Sequence, residues 1–232
     1  MLRNSLKCLN RFVLSLAALL VVSASLQADP MIPYPTPGVV APANVFSGMG
    51  GDVIAYYYGS TAAYSSNLAM YVNGVLSSAG WVFPNHDTAP GTSINLGFAG
   101  VGDTIVFALQ VFGFNPVVLD PAPNPHYIGS AIYTLYSDPA LNAIDGLNHV
   151  YTTAYPGMGN PLVPGIPAGT YVAFEDLIGL PPDSDLNYND HDFVFTNIHA
   201  SDTPEPTSMA LLGTIVLAGG VGYRLSKKKM SA

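Results

Sequence analysis

Acidic and amide side chains crowd into one short stretch of the chain, between Phe174 and Phe195. Six acids fall between residues 175 and 192, and two asparagines alternate with them. Sets of hard oxygen donors suit Ca²⁺, which takes about six to eight oxygen ligands and tolerates irregular geometry. The predicted ligands are Glu175, Asp176, Asp183, Asp185, Asn187, Asn189, Asp190 and Asp192.

The spacing of these residues imitates the start of an EF-hand loop without completing it. An EF-hand beginning at Asp183 needs glycine where Tyr188 stands and glutamate where Val194 stands. The stretch is therefore not an EF-hand. Two interpretations stay open from the residues alone, a calcium site or a solvated acidic turn held by side-chain hydrogen bonds to the backbone.

Positive charge is missing from the part of the chain that contains these acids. All seven Lys and Arg lie near the two ends, and none lies between Phe12 and Tyr223. Neighbouring carboxylates must therefore spread into solvent, take up protons or share a bound cation. The same lack of cationic side chains excludes a nucleic-acid site, a phosphate-binding P-loop and a lysine Schiff base there.

Composition and patterning predict short strands as the elements that position these side chains. Charged residues make up 9% of the chain, which also contains 23 Gly and 20 Pro. Apolar runs separated by turn residues predict an all-β fold, a jelly-roll-like β-sandwich over residues 45–202 that follows a proline-rich lead-in over residues 29–44. Residues 139–144 indicate one helical turn. The predicted strands are Asp52–Tyr58, Leu68–Val72, Trp81–Phe83, Ser93–Phe98, Thr104–Gly113, Ile128–Tyr136, His149–Tyr155, Gly169–Phe174 and Phe193–His199.

The N-terminal residues 1–28 have the three parts of a secretory signal peptide. Three basic residues precede the apolar run Phe12–Val22, and small residues lead to a cut after Ala28. A signal helix predicts export through the Sec translocon, and a retained signal anchor is the alternative. The only cysteine is Cys8, so a cleaved chain has no thiol for disulfides, metal binding or nucleophilic catalysis.

The C-terminal residues 203–229 have the features of a second targeting segment. Pro204, Glu205 and Pro206 precede the apolar run Met209–Tyr223 and a basic tail over residues 224–229. A run of this length makes roughly 22 Å of helix, which just spans a membrane if flanking side chains snorkel. The basic tail would then stay in the cytoplasm.

These three parts, in this order, resemble the PEP-CTERM sorting signal of Gram-negative bacteria, with Pro204, Glu205 and Pro206 as the recognition triplet. The resemblance implies processing by an exosortase in the inner membrane and delivery to the cell surface or extracellular matrix. It also implies an association with cells that produce exopolysaccharide. An ordinary tail anchor in the membrane is the alternative.

The motif from Phe174 to Phe195 is similar to the domain of unknown function numbered four thousand one hundred and fourteen. The likeness lies in Phe-Glu-Asp-Leu followed by Ser-Asp-x-x-Tyr-Asn-Asp and an aromatic strand. Asn187 stands where that family more usually has Asp, and His191 with Asp192 lengthens the step to the strand. The resemblance implies an exported β-rich domain and carries over no catalytic residues.

A non-enzymatic structural or binding role is the leading functional hypothesis. A carbohydrate-binding module for exopolysaccharide is the first alternative, with candidate stacking residues Tyr56, Tyr57, Tyr58, Tyr64, Tyr71 and Trp81. A glycan hydrolase that pairs Glu175 with Asp185 is the second alternative. A further oxygen-rich turn over residues 138–148 is a weaker candidate for a metal.

Overall fold

The computed structural model describes residues 35–113, 118–121, 123–157 and 165–202. The predicted signal peptide and sorting signal lie outside these residues. No helix within them is long and apolar enough to cross a membrane. The elements are β1 (Asn44–Gly48), β2 (Gly51–Gly59), β3 (Ser65–Val72), β4 (Val75–Leu76), β5 (Ser93–Ala99), β6 (Thr104–Gly113), β7 (Val118–Asp120), β8 (His126–Ile128), β9 (Tyr133–Tyr136), a 3-10 turn (Pro139–Leu141), β10 (Val150–Tyr155), β11 (Gly169–Phe174), β12 (His191–Phe195) and β13 (Ile198–Asp202).

The strands pair into two large antiparallel sheets and one short hairpin. Sheet 1 has the order β13-β1-β6-β3-β4, and β9 also pairs with β6. Sheet 2 has the order β10-β11-β12-β2-β5, while β7 and β8 pair only with each other among the described strands. Because β1 and β2 belong to different sheets, as do β12 and β13, the chain passes between the sheets at both of these turns.

Residues of both sheets share the main hydrophobic cluster. In β2 every second side chain is buried, and Val53, Ala55 and Tyr57 are at most 2% exposed. Between the sheets, Phe107 of β6 stacks on Phe195 of β12 with ring centroids 4.1 Å apart. The apolar residues of the period-two alternation therefore face this shared core, as expected for strands with one buried face.

A second hydrophobic cluster covers the other face of sheet 2. Tyr171 of β11 and Val194 of β12 pack there against Leu186 and Tyr188. The last two come from the acidic loop, residues 175–190, which joins β11 to β12. Sheet 2 is therefore buried on both faces at these strands, which explains why residues 171–174 and 193–195 are continuous apolar runs. The packing also attaches the acidic loop to the sheet.

The all-β prediction is confirmed, and β6 and β11 have the predicted bounds. The predictions for β2, β3, β5 and β10 differ by one to three residues at their ends, and three others differ more. Trp81–Phe83 forms no strand and makes only a single bridge, from Val82 to Leu68. The run from 128 to 136 is divided between β8 and β9. The run from 193 to 199 turns at Asn197, where φ is +60°, and passes from sheet 2 to sheet 1. Apolar alternation continues through such corners, so it does not reveal them.

Candidate metal centre

Three buried carboxylates meet where β11 ends and β12 begins. Glu175 and Asp176 follow the last residue of β11, and Asp190 precedes the first residue of β12. These strands are antiparallel with Phe174 opposite His191, so their register brings the three positions together. One carboxylate oxygen of each residue lies within 4.8 Å of those of the other two. We call this group the carboxylate triad.

Backbone amides of the acidic loop hold Glu175. Its Oε2 accepts hydrogen bonds from the N–H of Asn187 at 3.0 Å and of Tyr188 at 3.5 Å. Leu186 and Tyr188 have φ of +47° and +53°, a left-handed conformation that costs about 1–2 kcal/mol in residues with side chains. Both of these side chains are fully buried in the second cluster. Apolar burial therefore stabilises the backbone shape that surrounds Glu175.

Asp176 has a buried oxygen that no donor satisfies. Its side chain is 3% exposed, and its Oδ2 has no hydrogen-bond partner among the described residues. The Asp176 backbone N–H donates to Asp190 Oδ2 at 2.9 Å, so the two residues are linked without supplying this oxygen. A buried carboxylate without donors is costly in free energy. A cation beside it would remove that cost.

The electrostatics of the triad are unfavourable for three ionised groups. Burial and the charges of Asp190 and Glu175 raise the pKa of Asp176 to about 8. Burial and the charges of Asp190 and Asp185 raise the pKa of Glu175 to about 7. Burial raises the pKa of Asp190 to about 6. The triad therefore binds protons near neutral pH when it holds no cation.

The other predicted ligands divide into two groups. Asp185, Asn187 and Asn189 line a pocket of about 240 Å³ together with Asp176 and Asp190 of the triad. We call this the triad pocket. The remaining two predicted ligands belong neither to the triad nor to this lining. Asp183 is exposed on the loop, and Asp192 lies inside β12.

The triad pocket is also lined by two residues from a distant part of the chain. The calcium prediction did not include them. Thr61 and Tyr64 lie in the connection between β2 and β3 and contribute to its lining. The Thr61 hydroxyl donates to Asn189 Oδ1 at 2.7 Å across a separation of 128 residues. No local spacing in the sequence signals such a contact, since it depends on β2 pairing beside β12.

The oxygen-rich turn over residues 138–148 uses its side chains to hold its own backbone. Asp138 accepts from the N–H of Ala140, and the Asn142 amide donates to the carbonyls of Tyr136 at the end of β9 and of Leu147. Asp145 Oδ2 lies 3.0 Å from the buried ring of His149. These contacts explain the residue types of the turn without a metal ion.

The side chains that would serve sugar stacking or glycan hydrolysis are largely buried. Tyr57 is 2% exposed and its hydroxyl donates to a carbonyl, while Tyr56 and Tyr58 pack partly against the second cluster. Tyr64, Tyr71 and Trp81 are half-buried. Glu175 is fully buried, so it does not meet solvent as the carboxylate of an open hydrolase cleft would.

Tyr188→Phe tests whether the second cluster and its hydrogen bonds hold the acidic loop. The Tyr188 hydroxyl donates to the carbonyl of Asn148 and accepts from the N–H of Ala41 at 2.8 Å. Removing it leaves buried backbone groups without this partner, so we expect a loss of about 1–3 kcal/mol in urea unfolding. Tyr56→Phe, in a half-buried residue beside the same cluster, should change stability by less than about 0.5 kcal/mol. Equal effects of both variants would contradict this role.

The donor set and the charge of the triad fit a divalent cation. Three carboxylates converge, one oxygen has no donor among the described residues, and no Lys or Arg occurs between Phe12 and Tyr223 to balance them. No family model matches this chain, and comparisons with curated proteins and with solved structures return no match either.

Proposed function

We propose that this chain is an exported, non-enzymatic β-sandwich protein that binds Ca²⁺ at Glu175, Asp176 and Asp190. The supporting observation is the buried Oδ2 of Asp176, which has no hydrogen-bond partner among the described residues and lies in a cluster of acids in a part of the chain without Lys or Arg. Bound Ca²⁺ would offset two of the negative charges of the cluster and hold the acidic loop against β11 and β12. The role is therefore structural or ligand-binding.

The ligand types favour Ca²⁺ over other cations. All three triad ligands are carboxylates, and the neighbouring side chains Asp185 and Asn187 also carry oxygen. Zn²⁺ and copper usually take nitrogen or sulfur ligands, and Mg²⁺ demands a near-ideal octahedron. An irregular loop with spare oxygen atoms and a pocket for water suits the larger, more adaptable Ca²⁺.

The shared core supports the proposal that sheets 1 and 2 form a β-sandwich. Side chains from β2, β11 and β12 of sheet 2 and from β3 and β6 of sheet 1 belong to one cluster. Two sheets whose inner faces interdigitate in this way are the architecture of a sandwich. Its closed core would leave the acidic loop at one end of the strands.

The export part of the proposal rests on the two ends of the sequence. Residues 1–28 would direct passage through the Sec translocon, and residues 203–229 would bring the chain to an exosortase after transient anchoring in the inner membrane. Ca²⁺ sites in extracellular modules typically have dissociation constants of about 10⁻⁴–10⁻³ M.

Mass spectrometry of the mature protein should find termini near residue 29 and near Pro204. A full-length chain would contradict processing.

Equilibrium dialysis with ⁴⁵Ca²⁺ tests the metal proposal directly. The full chain should bind one Ca²⁺, and Asp190→Asn should weaken binding at least tenfold because it removes a charged triad ligand. Asp183→Asn makes the same chemical change at an exposed position outside the triad and should bind as the wild type does. Absence of saturable binding in the wild type, or equal losses in both variants, would overturn the proposal.

A further inference from the structure

Two of the three triad residues, Asp176 and Asp190, line the triad pocket, and both are buried. The pocket also includes Thr61, Ala63 and Asp185, which are exposed to solvent. A cation held between Asp176 and Asp190 would therefore adjoin a pocket that a ligand can enter.

The triad does not by itself fill the coordination shell of Ca²⁺. That ion takes about six to eight oxygens, and three carboxylates supply three when each contributes one. Glu175 already accepts backbone hydrogen bonds through Oε2, and Asp190 accepts one through Oδ2. The remaining coordination positions are open to neighbouring oxygens such as those of Asp185 and Asn187, to water, and to oxygen atoms of a ligand on the side of the pocket.

The charge balance selects a neutral ligand. Glu175, Asp176, Asp185 and Asp190 together carry four negative charges when ionised, which exceeds the two positive charges of one Ca²⁺. No Lys or Arg occurs between Phe12 and Tyr223 to attract an anion. Carboxylate, sulfate or phosphate groups would therefore be repelled. Adjacent hydroxyl groups offer two neutral oxygens at chelating distance without this repulsion.

The walls of the pocket suit a single hydroxyl-rich ring. Tyr64 is a half-buried lining residue that also packs against the main hydrophobic cluster, so this side of the pocket is a fixed wall. Asn189 uses Oδ1 to accept from Thr61, which leaves its Nδ2 group as a donor for a ligand hydroxyl. The volume of about 240 Å³ is below the ~300–1,000 Å³ of pockets for drug-sized ligands, so it fits one ring of a chain.

We propose that the triad pocket binds a neutral saccharide whose adjacent hydroxyls complete the coordination of the triad Ca²⁺. This inference rests on the proposed calcium site and adds the class of its ligand. It differs from a stacking strip of tyrosines, because the metal supplies the main contact and one aromatic residue supplies a wall.

Affinity chromatography of the full chain provides the test. The protein, kept in a detergent without a sugar headgroup, is applied to agarose columns that carry mannose, galactose or glucose. We expect retention on at least one column in CaCl₂ and release by EGTA. Ala63→Phe should reduce retention at least tenfold by filling the pocket, because residue 63 lines it without belonging to the triad. Ala143→Phe, at an exposed site outside this pocket, should be retained as the wild type is.

The outcomes separate this inference from the calcium proposal. If ⁴⁵Ca²⁺ binds but no neutral sugar column retains the protein, the saccharide inference fails and the calcium site stands. Retention that survives EGTA, or that Ala63→Phe leaves unchanged while the variant still binds Ca²⁺, also overturns the inference. If neither Ca²⁺ nor sugar binds, both proposals fail together.

Discussion

Asp176→Asn is expected to stabilise the protein in EGTA and to abolish its stabilisation by Ca²⁺. Without a cation, Asp176 is a buried carboxylate whose Oδ2 has no donor among the described residues and whose pKa is raised to about 8. An amide removes that charge and can donate to the neighbouring Asp190. We expect a gain of about 1–3 kcal/mol in the metal-free protein at pH 8.

Stabilisation by Ca²⁺ should be large in the wild type and nearly absent in Asp176→Asn. In the wild type, Ca²⁺ at a hundred times its dissociation constant should add about 2.7 kcal/mol, because the unfolded chain lacks the assembled site. For a domain of this size that corresponds to a rise of roughly 5–11 °C in the melting temperature. Asp176→Asn should lose nearly all of this rise, whereas Asp183→Asn should keep it.

Thermal melts of the three proteins in EGTA, CaCl₂ and MgCl₂ measure both effects. A variant that is less stable than the wild type in EGTA and still responds fully to Ca²⁺ would show that Asp176 is an ordinary buried hydrogen-bonding residue. An equal response to Mg²⁺ would remove the preference for Ca²⁺.

The metal-free protein should lose stability as the pH rises from 6.5 to 8.5. The folded-state pKa values of Glu175, Asp176 and Asp190 are raised to about 7, 8 and 6, above the ordinary values near ~4. The folded protein therefore binds more protons than the unfolded chain in this range, so the free energy of unfolding falls with increasing pH. Linkage predicts a loss of about 3 kcal/mol over the two pH units.

One buried group acts in the opposite sense at the lower end of this pH range. Burial lowers the pKa of His191 to about 3, so this residue destabilises the folded state as the pH falls through its ordinary value of ~6.5, and the effect fades above that pH. Saturating Ca²⁺ should flatten the profile between pH 6.5 and 8.5, since it keeps the triad ionised in the folded protein. Urea unfolding at several pH values measures the slope. A flat profile in EGTA would contradict the raised pKa values.

The sequence by itself determined the all-β class, several of the strands and the need of the acids for a counter-charge. Alternation was sufficient for β2, β5 and β6 because one face of each borders the shared core. The composition also determined that no Lys or Arg could balance Glu175 and its neighbours. These properties are local or compositional, so they can be recognised without any knowledge of which segments meet.

Only the tertiary structure decided which acids come together. The register of Phe174 with His191 places Asp190 beside Asp176, and burial of Leu186 and Tyr188 turns the loop around Glu175. The same geometry leaves two of the eight predicted ligands apart and brings in side chains from the distant connection between β2 and β3. Strand pairing and apolar burial act over more than a hundred residues of chain, a range that the spacing of residues within one motif cannot encode.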